Sequence, residues 1–263
     1  MEEFDQFHRI GLLLGEEAVE RLHRSFVMIC GVGAVGGYAL EALARAGVGR
    51  FRLVDCDRIT ESNINRQLLA THASVGMRKV EAACRRVLEI WPRARVEAVD
   101  RLLNAESIPE LLAPEGDAPD LLIDAIDSLA PKVELLAAAL ETKIPVLSSM
   151  GAALRTDPTL VRFGRLTDVT HCRLSMMLRK RIRRKGVNTD LIPCVYSTEP
   201  IRETLPSRGI LPPEVSEDDK RLHGRRRSTL GSLPTITGIF GLTLANQAIM
   251  RLTDGFRNAE GKG

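Results

Sequence analysis

The hexapeptide Gly31-Val32-Gly33-Ala34-Val35-Gly36 spaces its glycines as G-x-G-x-x-G, directly after the strand-forming run Phe26 to Cys30 and before the helix-forming stretch Tyr38 to Ala46. In that context a tight turn brings backbone N–H groups against phosphate oxygens, and the helix N-terminus behind it favours their negative charge. Asp55 closes the next apolar run, 19 residues beyond Gly36, where a carboxylate can accept both hydroxyls of a ribose. To this point the pattern fits NAD and ATP equally, and a close-packed turn holding no nucleotide would carry the same glycines. Arg66 and Lys79 separate the readings. Each alone is an ordinary surface cation, but both stand downstream of a glycine fingerprint. Hydride transfer has no use for extra cations along a phosphate chain, whereas attack on an α-phosphate needs charge on the departing pyrophosphate. The chemistry implied is attack on the α-phosphate of ATP with release of pyrophosphate.

Such a site needs a scaffold, and the hydropathy pattern supplies one. Phe51 to Val54 reads as a second strand, Gly76 to Trp91 as an amphipathic helix stopped by Pro92, and Arg95 to Val99 as a third strand. Ser107 to Leu112 is a short helix, Asp120 to Asp124 a buried strand, Leu129 to Thr142 a helix and Ile144 to Ser148 another strand. This alternation predicts an α/β fold, a Rossmann-like, doubly wound and mostly parallel sheet flanked by helices. Residues 1–151 would form the adenylation domain. Residues 152–263 would add an elaboration for substrate binding and dimerisation. Within it the sequence predicts a hairpin over Leu154 to Arg165 around Asp157-Pro158, a basic helix from Cys172 to Arg184, a strand over Leu191 to Ser197 and a closing apolar helix over Ile236 to Leu252. The proline-rich, charged stretch 199–231 reads as a mobile surface loop.

The bulk composition excludes several classes. No apolar run among the 263 residues approaches the roughly 20 needed to span a bilayer. The acidic N-terminus is unlike a secretory signal, so a cytoplasmic protein is expected. The five cysteines, Cys30, Cys56, Cys84, Cys172 and Cys194, include no pair at the two-residue spacing of a tetrahedral metal site, so no structural zinc is expected. His8, His23, His72, His171 and His223 are equally dispersed. Charge, by contrast, is concentrated: nine Lys or Arg residues between Arg162 and Lys185 face the single acid Asp168, and Arg225-Arg226-Arg227 adds a second run. Either run alone could be a solvated face. Together they point to RNA, with Arg179, Lys180, Arg181, Arg183, Arg184, Arg225, Arg226 and Arg227 as its candidate contacts.

Taken in order, G-x-G-x-x-G, D-x-D (Asp55, Asp57), S-N-x-x-R-Q (Ser62 to Gln67), G-x-x-K (Gly76 to Lys79) and D-x-x-D (Asp124, Asp127) resemble the signature of the ThiF/MoeB/HesA superfamily, the adenylating domain shared with ubiquitin-activating enzymes. The resemblance covers roughly Phe7 to Gly151. It implies that Gly31, Gly33, Gly36, Asp55, Asp57, Asn63, Arg66, Lys79, Asp124 and Asp127 surround ATP. Asp55 would hold the ribose and Asn63, Arg66 and Lys79 the triphosphate, with Asp127 binding Mg²⁺. Phe7-His8-Arg9 looks like the family's N-terminal element, whose arginine reaches the ATP of the neighbouring subunit. A homodimer is implied, and Arg9 joins Arg66, Lys79 and Asp127 as a candidate catalytic residue.

Within the superfamily, Asp124 to Ser128 with Pro131-Lys132, Cys194 to Glu199, and Gly238 to Gly241 resemble the branch that dehydrates threonylcarbamoyladenosine in tRNA. The resemblance implies that the threonyl carboxylate attacks the α-phosphate and the carbamoyl nitrogen then closes a ring, expelling AMP, with no enzyme nucleophile. The rival reading is an adenylyltransferase that activates the C-terminal glycine of a small sulfur-carrier protein. Such relatives usually carry two zinc-binding Cys pairs, absent here. A cysteine desulfurase or sulfur acceptor stays open as a further partner, because sulfur-transfer relatives use a downstream thiol. Cys194 is the candidate for that thiol, but its apolar strand favours the reading as a packed core residue.

Overall fold

The computed structural model describes residues 6–112, 117–201 and 230–253. After two short helices, α1 (His8–Leu14) and α2 (Glu16–Arg24), the chain alternates strand and helix. The strands are β1 (Phe26–Cys30), β2 (Arg50–Val54), β3 (Arg95–Val99), β4 (Leu121–Asp124), β5 (Val146–Ser149), β6 (Val161–Arg165) and β7 (Pro193–Ser197). Between them run α3 (Gly36–Arg45), α4 (Lys79–Ile90), α5 (Ser107–Leu112), α6 (Leu129–Glu141) and α7 (Arg173–Arg184), and α8 (Pro234–Thr253) follows β7. The sheet order is β3-β2-β1-β4-β5-β7-β6, parallel throughout except for the edge strand β6. The order reverses beside β1. The chain leaves β1 towards β2 and β3, then returns to lay β4 on its other flank, and that reversal opens a crevice at the carboxyl ends of β1 and β4.

All five residues of β1 are buried, as a parallel strand covered on both faces demands. Val27 and Ile29 pack with α3 and α8, through Leu40, Leu43, Phe240 and Leu244. Met28 and Cys30 face the opposite layer, where α5, α6 and α7 supply Leu112, Leu136 and Ile182. Helix α8 runs against α3, and its glycines are the reason it can come so close. A Cβ at Gly241 would collide with the Val35 carbonyl oxygen and lie 2.7 Å from the Tyr38 Cβ. At Gly238 it would lie 3.3 Å from the Tyr38 ring. The closing helix therefore sets the height of α3, and with it the turn that opens α3.

Residues 154–165 correct one expectation. They form no hairpin: Asp157 caps a short 3₁₀ turn, Pro158–Leu160, and only Val161–Arg165 is a strand. Its partner is β7, which starts at Pro193, and this pairing leaves residues 154–157 to another task. Buried Arg155 donates to the carbonyls of Glu199 and His171, and the Glu199 carboxylate accepts from the Thr156 N–H (2.8 Å), the Thr156 hydroxyl (2.8 Å) and the Asp157 N–H (3.0 Å). Leu154 N–H bonds the Gly231 carbonyl at 2.9 Å. The exits of β5 and β7, the start of α7 and the approach to α8 are thereby clamped together beside the crevice.

Two outcomes follow. Gly241→Ala should lower stability by about 1–3 kcal/mol, as overpacking does, and should weaken nucleotide binding; calorimetric melts and an ATP titration that both match the wild type would remove α8 as the support of the glycine turn. Burial would raise the Glu199 pKa, but the Asp157 and Thr156 amides, the Thr156 hydroxyl and Arg155 more than offset it, so it lies below its ordinary 4.5. Its contribution is thus fully present above pH 4.5 and lost as pH falls through the depressed value. Glu199→Gln should lower the neutral-pH Tm and flatten the acid limb of a Tm-against-pH curve; an acid limb of unchanged steepness counts against the clamp.

Candidate functional site

The glycine turn is shaped by backbone crowding. Gly31 adopts φ +88°, a left-handed value that L side chains rarely reach, and its Cβ would lie 2.8 Å from the Ala125 carbonyl oxygen. A Cβ at Gly36 would collide with the Gly31 carbonyl oxygen. These two glycines are required for the turn to form. Gly33 differs, since its Cβ would meet only the Gln67 amide, at 3.8 Å. Its side faces open space, where an anion could reach the backbone.

Asp55 lies at the mouth of this turn. Its Oδ2 accepts the Val32 N–H and its Oδ1 the Asp57 N–H, both at 2.9 Å, so the carboxylate is fixed in orientation while each oxygen retains a lone pair. Burial pushes its pKa up, and the neighbouring Lys79 charge opposes that only in part. Lys79 opens α4, is 7% exposed, and places its Nζ 2.6 Å from Asp57 Oδ2 and 3.9 Å from Asp55 Oδ1. Burial would lower its pKa, but Asp55 and Asp57, with a smaller contribution from Asp127, hold it above its ordinary value. A lysine at a helix N-terminus opposes the helix dipole, so carboxylates rather than the helix hold this charge. The 57–59 backbone is tied to 76–79 through Ile59 N–H to Met77 O (2.9 Å) and Lys79 N–H to Asp57 O (3.0 Å).

Asn63 ends a short 3₁₀ turn, Glu61–Asn63, and its Oδ1 accepts the Thr60 N–H at 3.2 Å. Arg66 is half-buried and lies along the same turn, with Nη1 2.9 Å from both the Ser62 carbonyl and Asn65 Oδ1. Gln67 is buried beside Gly33; sequence reasoning assigns it no role, although it ends the S-N-x-x-R-Q motif.

The opposite wall is the loop from β4 to α6. Asp127 is exposed there, close enough for its charge to act on Lys79. Asp124 is not exposed at all. Its Oδ2 receives Lys132 Nζ and Ser148 Oγ, each at 2.6 Å, and its Oδ1 accepts the Ile126 N–H at 3.2 Å. Sequence reasoning assigns no role to Lys132 or Ser148 either. One signal is legible: Lys132 shares a helical face with Leu135, Leu136 and Ala139, all buried.

The structure thus brings Gly31, Gly33, Gly36, Asp55, Asp57, Lys79 and Asp127 to one crevice and draws Asp124 beneath it. Arg9 stands apart, exposed on α1. On α7, Lys180, Arg181, Arg183 and Arg184 are exposed, with Leu178 and Ile182 buried on the opposite face. Arg179 turns inward, donating to the carbonyls of Leu166 (3.0 Å) and Val169 (2.7 Å). Arg225, Arg226, Arg227 and most of the 199–231 stretch lie outside the described residues. Cys194 is fully buried on β7 opposite Ser148 and Gly164, and burial pushes its thiol up to about 12. Burial and the adjoining carboxylates of Asp57 and Asp55 push Cys56 up to about 11. Among the described residues no group of three or more His, Cys, Asp or Glu could hold a metal ion, and no helix is long and apolar enough to cross a membrane.

Comparison with known proteins finds relatives over nearly the whole chain. The chain is 32% identical over 250 residues to the tRNA threonylcarbamoyladenosine dehydratase of Bacillus subtilis, covering 94% of both chains. It is 31% identical to tRNA threonylcarbamoyladenosine dehydratase 2 of Saccharomyces cerevisiae, where the match takes in 92% of this chain but spans only 55% of the yeast protein. The crystal structure of the Escherichia coli enzyme TcdA in complex with ATP superimposes with a TM-score of 0.82 at 29% identity, over 98% of this chain and 96% of that one. The ThiF family model matches residues 7–261, and the chain belongs to the ThiF family.

Proposed function

We propose that the protein is an ATP-dependent dehydratase that cyclises threonylcarbamoyladenosine in tRNA. The observation that carries the reading is Lys79, a buried ammonium held over the crevice by Asp55 and Asp57 and within electrostatic reach of Asp127. A nucleotide phosphate chain is the partner that such a preorganised cation suits. In the proposed reaction the threonyl carboxylate attacks the α-phosphate, the bond to the β-phosphate oxygen breaks, and pyrophosphate leaves. The carbamoyl nitrogen then attacks the acyl carbon, loses its proton to solvent and expels AMP, so the nucleoside loses the atoms of one water.

Each residue has a part in this scheme. Gly33 and the turn amides receive phosphate oxygens, Asp55 the ribose hydroxyls, and Asn63, Arg66 and Lys79 the triphosphate. A single exposed carboxylate, Asp127, suits Mg²⁺, which binds through one or two carboxylates together with substrate phosphates. When bound, Mg²⁺ would neutralise charge on the leaving pyrophosphate. Asp124 acts from beneath, through the loop. Arg9 would complete the site from a second copy in a homodimer, and Leu12 and Leu13, 74% and 81% exposed on the same helix, offer an apolar face for it. The exposed cations of α7 would take tRNA phosphates. The reading as a sulfur-carrier adenylyltransferase is disfavoured by the sequence, which holds no Cys pair at zinc spacing.

Incubation with ATP, Mg²⁺ and threonylcarbamoyl-modified tRNA, followed by digestion and mass spectrometry, should yield a nucleoside lighter by one water. Pyrophosphate exchange supported only by a carrier protein with a C-terminal Gly-Gly would favour the rival. Lys79→Ala should reduce AMP formation by about 10²–10³-fold, the range for removing one preorganised charge-stabilising donor, in a protein that melts lower, because Asp55 and Asp57 lose their cation, but is still folded at the assay temperature by circular dichroism; undiminished turnover in that folded variant refutes the phosphate role. Replacing Arg181, Arg183 and Arg184 with Gln should flatten the salt dependence of tRNA binding by about 0.7–0.9 in slope for each phosphate no longer neutralised, and an unaltered slope would place the RNA surface elsewhere.

A further inference from the structure

The buried charges at the root of the β4–α6 loop touch neither nucleotide nor substrate in that reaction scheme. Asp124 and Lys132 are both 0% exposed, with Nζ 2.6 Å from Oδ2. Withdrawing two such ions from water costs several kcal/mol each, and an apolar pair of similar volume is often as stable or more so. Stability therefore does not explain the pair. Its geometry does. Asp124 Oδ1 accepts the Ile126 N–H at 3.2 Å and Lys132 Nζ donates to the Ile126 carbonyl at 3.0 Å, so both polar groups of one residue are gripped by one ion pair. On one side of Ile126 is Ala125, whose carbonyl fits against Gly31, where no Cβ could enter. On the other side is Asp127. Ser148 Oγ, 2.6 Å from Asp124 Oδ2, fastens the assembly to β5.

We infer that Lys132 is a positioning residue: paired with Asp124, it holds Ile126 so that the wall of the glycine turn and the Asp127 carboxylate keep the spacing a nucleotide triphosphate requires. Lys132 itself is sealed from the crevice and touches no reacting atom. The inference rests on the nucleotide reading of the site. It requires that disturbing the pair be felt at the nucleotide through Asp127, and that the effect be separable from loss of fold.

The test is ATP titration calorimetry with Mg²⁺, alongside thermal melts, on four proteins: wild type, Asp127→Asn, the apolar replacement Asp124→Leu/Lys132→Met, and the triple variant. The apolar replacement leaves no orphaned charge, so it should melt near or above the wild type yet bind ATP about tenfold or more weakly, a loss of about 1.4 kcal/mol. Adding Asp127→Asn to it should cost little more than the worse of the two alone, because both act on one element. Wild-type ATP affinity in the folded apolar variant, or losses that simply add, would overturn the inference. Should that variant not fold, Ser148→Ala removes one hydrogen bond and leaves the pair; a smaller affinity loss, again non-additive with Asp127→Asn, supports the inference, and additivity overturns it. A wild-type protein that binds no ATP would instead strike down the nucleotide reading itself.

Discussion

The backbone of the Gly31–Gly36 turn is enclosed so tightly that no side chain can be added at its two ends. In front, the Ala125 carbonyl fills the space a Gly31 Cβ would need. From behind, Gly241 of α8 brings a second helix against the Val35 carbonyl and Tyr38. Close-packed interiors resist small displacements and pass them on. The height of α3, the direction of its first N–H groups and the depth of the crevice are therefore fixed by elements that arrive late in the chain. A site whose glycines all lie before residue 37 is in that sense completed by residues 124–132 and 238–241.

Charge is organised on that frame before any ligand enters. Lys79 gains its stabilisation from Asp55 and Asp57, a contribution fully present below its ordinary pKa of 10.5 and lost only as pH rises through the raised value. Asp55 opposes it: burial lifts its pKa, so its ionised form is held at some cost, offset by two backbone amides and by Lys79. On the proposed reaction this arrangement has a kinetic use. A cation already dehydrated and oriented needs little reorganisation when charge develops on pyrophosphate, and that is where fixed electrostatics contributes most.

Much of this was legible in the sequence because it is local. β1 runs from Phe26 to Cys30 and β3 from Arg95 to Val99, the bounds that hydropathy alone suggests, and Asp55 follows the last residue of β2 as its spacing from the glycines requires. What escaped was tertiary. Asp157-Pro158 has the composition of a hairpin turn, but the β6 backbone found a better partner in β7, and the turn residues were recruited by Glu199. Arg179 has the look of one more cation in a basic run; only the packing of α7 against the 166–169 carbonyls turns it inward. Lys132 was visible as a charge on an apolar face of α6, yet nothing in one sequence says that its counter-ion stands eight residues earlier at the end of a strand.

The same burial also bears on how the second half of the proposed reaction could proceed. An acyl-adenylate can be captured by an enzyme thiol or by a group already on the substrate. The thiol route needs a cysteine that is both accessible and ionised near neutral pH. Cys194 is sealed between β5 and β6 with its thiol pushed up to about 12, and Cys56, next to Asp55, is pushed up to about 11 by burial and by Asp57 and Asp55. Burial and the carboxylates proposed to anchor the nucleotide thus suppress thiolate formation beside them. Capture by a nitrogen of the substrate itself needs no such ionisation. It needs the activated carbonyl and the carbamoyl group held in contact.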